Sequence, residues 1–170
     1  MSYIITIGRQ YGSGGRYIAR ELAKKLKINF YDNELLIKAA ERTGFSVDYI
    51  KANEEKKDSI FAFMGLNDID NTLTAVQKVS NAQFAIIRNL ADTESCVIVG
   101  RCANYVLKDH QNVLNVFIHA PIEDRIKRAV TYYNLPEKNA KEAIKKMDRK
   151  RESYHNYFTD EKWGDATNYD

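Results

Sequence analysis

The apolar positions change period several times along the chain, and each change predicts an element. Tyr3 to Gly8 reads YIITIG, a β-branched run that predicts a first, central strand. It runs into Arg9-Gln10-Tyr11-Gly12-Ser13-Gly14-Gly15-Arg16. From Gly15 onward Ile18, Leu22 and Leu26 recur at helical spacing beside Ala19 and Ala23, so a helix is expected directly after the glycines. Ile28 to Tyr31 predicts a second strand, and Asp32 or Asn33 can cap a helix over Glu34 to Arg42 that Thr43-Gly44 ends.

The polar stretch Asn53 to Asp58 and the segment Phe61 to Gly65 have poor periodicity. Asn71 to Ala91 predicts a long amphipathic helix through Leu73, Val76, Val79, Phe84, Ile87 and Leu90. Cys96 to Val99 is a continuous apolar run of the kind found in strands buried on both faces. Val113 to Ile118 predicts another strand, and Pro121 opens a basic helical region reaching about Tyr157. Strands alternating with helices predict an α/β domain with a mostly parallel sheet covered on both faces.

Ligands of such sheets bind beyond the carboxyl ends of the strands. That places the glycine loop, Asp32 and Arg101 on one rim.

Composition narrows the class without naming a chemistry. A 170-residue chain is one domain of ordinary size, and no window reaches the ~18 apolar residues of a membrane helix. The start MSYIITIGRQYG lacks the features of a signal peptide, so a cytoplasmic protein is expected. Cys96 and Cys102 are too close for a disulfide framework and lack zinc-site pairing, and both read as reduced thiols. A net charge of +3 is too mild to argue for a DNA or RNA partner. His110, His119 and His155 show no metal-ligand spacing, and no metal site is expected from the side chains.

Gly12-Ser13-Gly14-Gly15 before a helix suits an anion, because residues without bulk let consecutive amides curl around phosphate oxygens at a positive helix end. The bland alternative is a tight strand-to-helix turn. The loop departs from G-x-x-x-x-G-K-[ST]. Counting from Gly14, Arg9 stands at the first glycine, Gly15 at the lysine and Arg16 at the hydroxyl that helps hold magnesium. Arg16 is the nearest candidate for the missing charge. A dinucleotide fingerprint is the rival reading, with Asp32 at the ribose position, but Tyr17 occupies the third glycine.

Five blocks in order, ITIGRQYGSGGRYIARELAKKL, FYDNELL, VIVGRCANYVL, VFIHAPIEDRIKR and MDRKRESYHNYF, together with KWGDATNYD, resemble the cytidylate kinase-like family, a branch of the P-loop nucleoside monophosphate kinases. The resemblance spans nearly the whole chain as one domain, residues 1–170. It implies a three-layer parallel-sheet fold, a nucleotide-binding insertion at about 44–91 and a lid at about 122–160. The chain stops at Asn168-Tyr169-Asp170, which leaves open whether the last strand and helix of that fold are present.

The resemblance further implies transfer of the γ-phosphoryl group of ATP, with Mg²⁺, to a nucleoside monophosphate, CMP or dCMP in the first place. A monomer is expected. The rival is a nucleotide-binding or regulatory domain of the same fold with impaired catalysis. Gly12, Ser13, Gly14, Gly15 and Arg16 match the ATP phosphate loop. Asp32, Lys38, Arg101, Asp148 and Arg151 match acceptor-nucleotide positions, and Arg16, Arg125 and Arg128 are the catalytic candidates. Cys102 replaces an aspartate that helps recognise cytosine in cytidylate kinases.

From Glu123 to Arg151 ten Lys/Arg stand against five Asp/Glu, the cationic stretch a lid over phosphates needs. The plain reading of Asp148 and Arg151 is an exposed ion pair within one helix. Tyr154, Tyr157 and Phe158 are expected to pack rather than stack on bases.

Overall fold

The computed structural model describes residues 2–32 and 69–170. The expected helix over 34–42, Lys38 and the aperiodic stretch 53–65 lie outside the described residues. Strand β1 (Ile4–Arg9) leads through the glycine loop into α1 (Gly15–Leu26), followed by β2 (Asn29–Tyr31). Helix α2 (Ile69–Thr93) precedes β3 (Cys96–Val99), the short α3 (Ala103–Val106) and β4 (Val113–Ile118). Two further helices, α4 (Ile122–Tyr133) and α5 (Ala140–Phe158), complete the main elements.

The described strands form a four-stranded sheet in the order β2-β3-β1-β4, with every pairing parallel. β1 is central, as its β-branched run predicts, with Ile5 opposite Val97 on one side and Leu114 on the other. Because successive residues of a strand face opposite ways, the sheet has two cores. Ile4, Cys96 and Ile98 pack with Ile86, Ile87 and Leu90 of α2 and with α3. Ile5, Ile7, Val97 and Val99 pack against Ala19 and Ala23 of α1. The small side chains of α1 bring that helix close to the strand it follows. Of the stripe expected on α2, Ile87 and Leu90 are buried as expected, and the side chains of Leu73, Val76 and Val79 lie outside the described residues.

The basic helical region is not continuous. Asn134 takes a left-handed conformation at φ 54° and ends α4, and Pro136 follows before α5 begins at Ala140. Proline cannot donate a backbone bond, so the chain turns here and α5 folds back along α4. After α5 the chain covers the outer side of β4, where the Asp170 amide donates to the Asn115 carbonyl at 2.9 Å. Phe117 packs there against Trp163 and Tyr169. No described helix is long and apolar enough to cross a membrane.

Candidate active site

The loop between β1 and α1 is shaped by two left-handed glycines, Gly12 at φ 78° and Gly14 at φ 86°. A Cβ on Gly12 would stand 2.7 Å from the Arg125 carbonyl oxygen, so this position is closed to any side chain on two counts. Ser13 is buried, and its hydroxyl donates to the Gln10 carbonyl at 2.8 Å while accepting the Gly15 amide at 3.3 Å. Its side chain therefore shapes the loop from inside. The amides of Gly12 and Gly14 have no protein acceptor among the described residues. They are the loop's open donors at the start of α1.

Helices α4 and α5 fix the loop from behind. The Tyr11 amide donates to Asp148 Oδ1 at 2.7 Å, and the buried Arg125 donates through Nε to the Tyr11 carbonyl at 2.8 Å and pairs with Asp148 Oδ2. Arg125 is thus a strut beneath the loop, and both Asp148 oxygens meet the protein.

Neither does Asp148 form an exposed pair with Arg151. Arg151 donates to the Arg9 carbonyl at 3.0 Å and lies over the Tyr11 ring. Burial lowers its pKa, an effect that Asp148 opposes. Arg128 donates to the Gly12 carbonyl at 2.8 Å, and its guanidinium lies alongside Gly14, at the rim of the cup.

In front of the loop lies a cavity of about 380 Å³. Among the described residues, Arg9, Arg16 and Arg151 line it together with the glycines, and Asp32 is the acid on its wall. Arg16, half exposed, donates through Nε to the buried Asp32 carboxylate at 2.7 Å. The two side chains thus meet on the cavity wall.

Arg101 follows β3 in a run of three left-handed residues, Gly100, Arg101 and Cys102. Such backbone costs on the order of 1–3 kcal/mol per non-glycine residue and gathers at functional sites. The Arg101 guanidinium lies over the Tyr154 ring, whose hydroxyl meets Ser80 at 3.1 Å. Tyr154 and Phe158 pack on the α2 core as expected, whereas Tyr157 is exposed. Cys96 and Cys102 are free, buried thiols whose pKa is pushed up to about 12 chiefly by burial.

Among the described residues no three His, Cys, Asp or Glu side chains gather to hold a metal ion. Among the described residues Asp32 is the carboxylate at the cavity, so a Mg²⁺ ion would fit here carried on bound phosphates rather than in an all-protein cage.

Sequence reasoning passed over Arg9. Its guanidinium reaches the end of β3, within the field of Arg16, Arg101 and Arg151. The available signal was its place in the motif, noted only as a missing glycine.

A parallel sheet whose central strand feeds a glycine loop and helix, with arginines gathered over that loop, defines a P-loop kinase fold. The chain belongs to the cytidylate kinase-like family, which it matches over residues 4–170. Among solved structures it is similar to an uncharacterized protein from Eubacterium ventriosum, with 33% identity over 99% of this chain and 85% of that one and a TM-score of 0.76. A shikimate kinase from Bacteroides thetaiotaomicron shares the fold at 15% identity, covering 91% of this chain and 82% of its own, with a TM-score of 0.53. No curated protein matches the sequence. Family membership supports a phosphotransferase of the nucleotide-kinase kind and leaves the acceptor unspecified.

Proposed function

We propose that this protein is a nucleoside monophosphate kinase that passes the γ-phosphoryl group of ATP to a (deoxy)cytidylate-like acceptor. The observation that carries the reading is that, among the described residues, the Gly12 and Gly14 amides are open beside a cavity walled by three arginines and one acid. Carboxylates would line a site for a cation. Here the excess positive charge, held partly out of water, suits a polyanion.

In this reading the donor phosphates rest on residues 12–15, with Arg16 and Arg128 at the rim. Arg101 and Arg151 hold the acceptor phosphate, whose oxygen attacks the γ-phosphorus. The bond to the β,γ-bridging oxygen breaks and its electron pair leaves with ADP. Mg²⁺ bound to the ATP phosphates would neutralise part of their charge. No side chain need form a covalent bond, since positioning and charge stabilisation lower most of the barrier in such transfers. Arg125 and Asp148 act one step back by holding the loop in shape.

The position following Arg101 bears on which base is taken. Cys102 is buried, and its thiol offers only a weak donor where cytidylate kinases carry an aspartate. The monophosphate and any nearby ribose therefore contribute more to recognition than the base does at this position. Purified protein with ATP, Mg²⁺ and a panel of ribo- and deoxyribonucleoside monophosphates tests the proposal. Transfer to CMP or dCMP is expected, and ATP binding without transfer to any acceptor would select a regulatory domain instead.

A further inference from the structure

We propose that Arg9 is the cation of the phosphate loop, supplying from the first position of the motif the charge that a lysine at position 15 would supply in a G-x-x-x-x-G-K-[ST] loop. The inference deepens the kinase reading and rests on it.

Two departures from that motif, Arg9 for glycine and Gly15 for lysine, are one structural event. The Arg9 stem lies on Gly15 so closely that a Cβ at 15 would stand 2.6 Å from Arg9 Cβ and 3.1 Å from its Cγ. Real side chains do not approach so closely, so an extended Arg9 and any side chain at position 15 exclude each other. At its far end the guanidinium crosses to Gly100, where a Cβ would fall 2.1 Å from Arg9 Nη1 and 3.1 Å from Cζ. Gly15 and Gly100 together form a slot for this one side chain.

The slot runs from the phosphate loop to the end of β3, where Arg101 begins. A cation there lies between the donor cup and the acceptor arginine, on the path of a transferred phosphoryl group. The guanidinium donates to no compensating carboxylate among the described residues. Burial and the neighbouring charges of Arg151, Arg101 and Arg16 lower its pKa to about 9, with only Asp32 acting the other way. Arginine scarcely gives up its proton, so the crowding appears as a site that gains from an entering polyanion.

The test compares wild type with Arg9→Met, and Arg9→Gly with Arg9→Gly/Gly15→Lys, which restores the glycine and the lysine of the usual loop. Inorganic tripolyphosphate and ATP are the binding probes, read by melting temperature and calorimetry, and turnover is measured with the best acceptor. Arg9→Met is expected to melt no lower than wild type without ligand, to lose the stabilisation by tripolyphosphate, and to lose about 10²–10³ in kcat, as for other preorganised donors to a developing anion. The double variant is expected to regain at least about tenfold over Arg9→Gly, since it returns a charge-assisted contact to the same phosphates. If Arg9→Met does not fold, Arg9→Gln replaces it, with kcat expected to fall at least tenfold while the acceptor KM moves little. An Arg9→Met or Arg9→Gln enzyme that binds tripolyphosphate and turns over within about threefold of wild type would overturn the proposal and leave the kinase reading intact. A wild-type protein that neither binds nor transfers would remove both.

Discussion

Asp148 Oδ1 accepts the amide of Tyr11 at 2.7 Å, a bond that joins the middle of α5 to the phosphate loop across 137 residues of chain. The second carboxylate oxygen meets the buried Arg125, which also grips the Tyr11 carbonyl. One acid thus ties both helices after β4 to the loop. Asp148→Ala leaves the Arg125 charge buried and unpaired, and a loss of about 3 kcal/mol is expected in urea unfolding. Asp148→Asn keeps an acceptor for Tyr11 and should lose less. Equal losses in the two variants would show that the bond to the Tyr11 amide adds nothing to the ion pair, and an Asp148→Asn protein as stable as wild type would show that the ion pair contributes nothing.

Arg16→Ala separates binding from folding. The side chain is half exposed, so its pair with Asp32 contributes no more than about 1 kcal/mol to stability. The contact proposed for it with a donor phosphate, a charge-assisted bond, should be worth about tenfold in the Kd for ATP by calorimetry. An unchanged Kd would remove Arg16 from the phosphate site.

Gln83 on α2 is 1% exposed, and neither atom of its carboxamide has a hydrogen-bond partner among the described residues. A buried, unpaired amide costs about 1–3 kcal/mol. Gln83→Met keeps the volume and removes the polar atoms, so the urea midpoint should rise. A fall in the midpoint would mean that the carboxamide is paired in solution.

His155 is buried, with Nε2 lacking a hydrogen-bond partner among the described residues and 3.9 Å from the Glu161 carboxylate, and desolvation lowers its pKa. The unfolded chain takes up the proton near pH 6.5, before the folded chain does. Below that pH the unfolded state binds more protons, so stability falls as pH drops from about 6.5 to the lower folded value. His155→Phe should remove that part of the slope in melting temperature between pH 7 and 5. A slope unchanged by the substitution would place the acid sensitivity elsewhere.

Much of this site is legible in the sequence because its parts are local. The β-branched runs at Ile4 and Cys96 mark buried strands, and the glycines before Ile18 mark a helix start. Asn134 and Pro136 carried a stop signal inside the basic stretch, one that its charge pattern masked. The tie between Asp148 and the loop has no local signal at all, since residues so far apart in sequence meet only through the packing of α4 and α5 on the sheet. Arg9 lies between these cases. Its place in the motif is visible, but its reach to Gly100 depends on the register of β1 beside β3.

The most direct test of the phosphate cup is a titration of ¹⁵N-glycine-labelled protein with ATP, followed through its eight glycine amides. The Gly12 and Gly14 signals should shift together and saturably as their hydrogens meet phosphate oxygens, while Gly164, beside Phe117, stays in place. Saturating ATP that leaves Gly12 and Gly14 unmoved, or shifts confined to glycines outside the loop, would contradict the account.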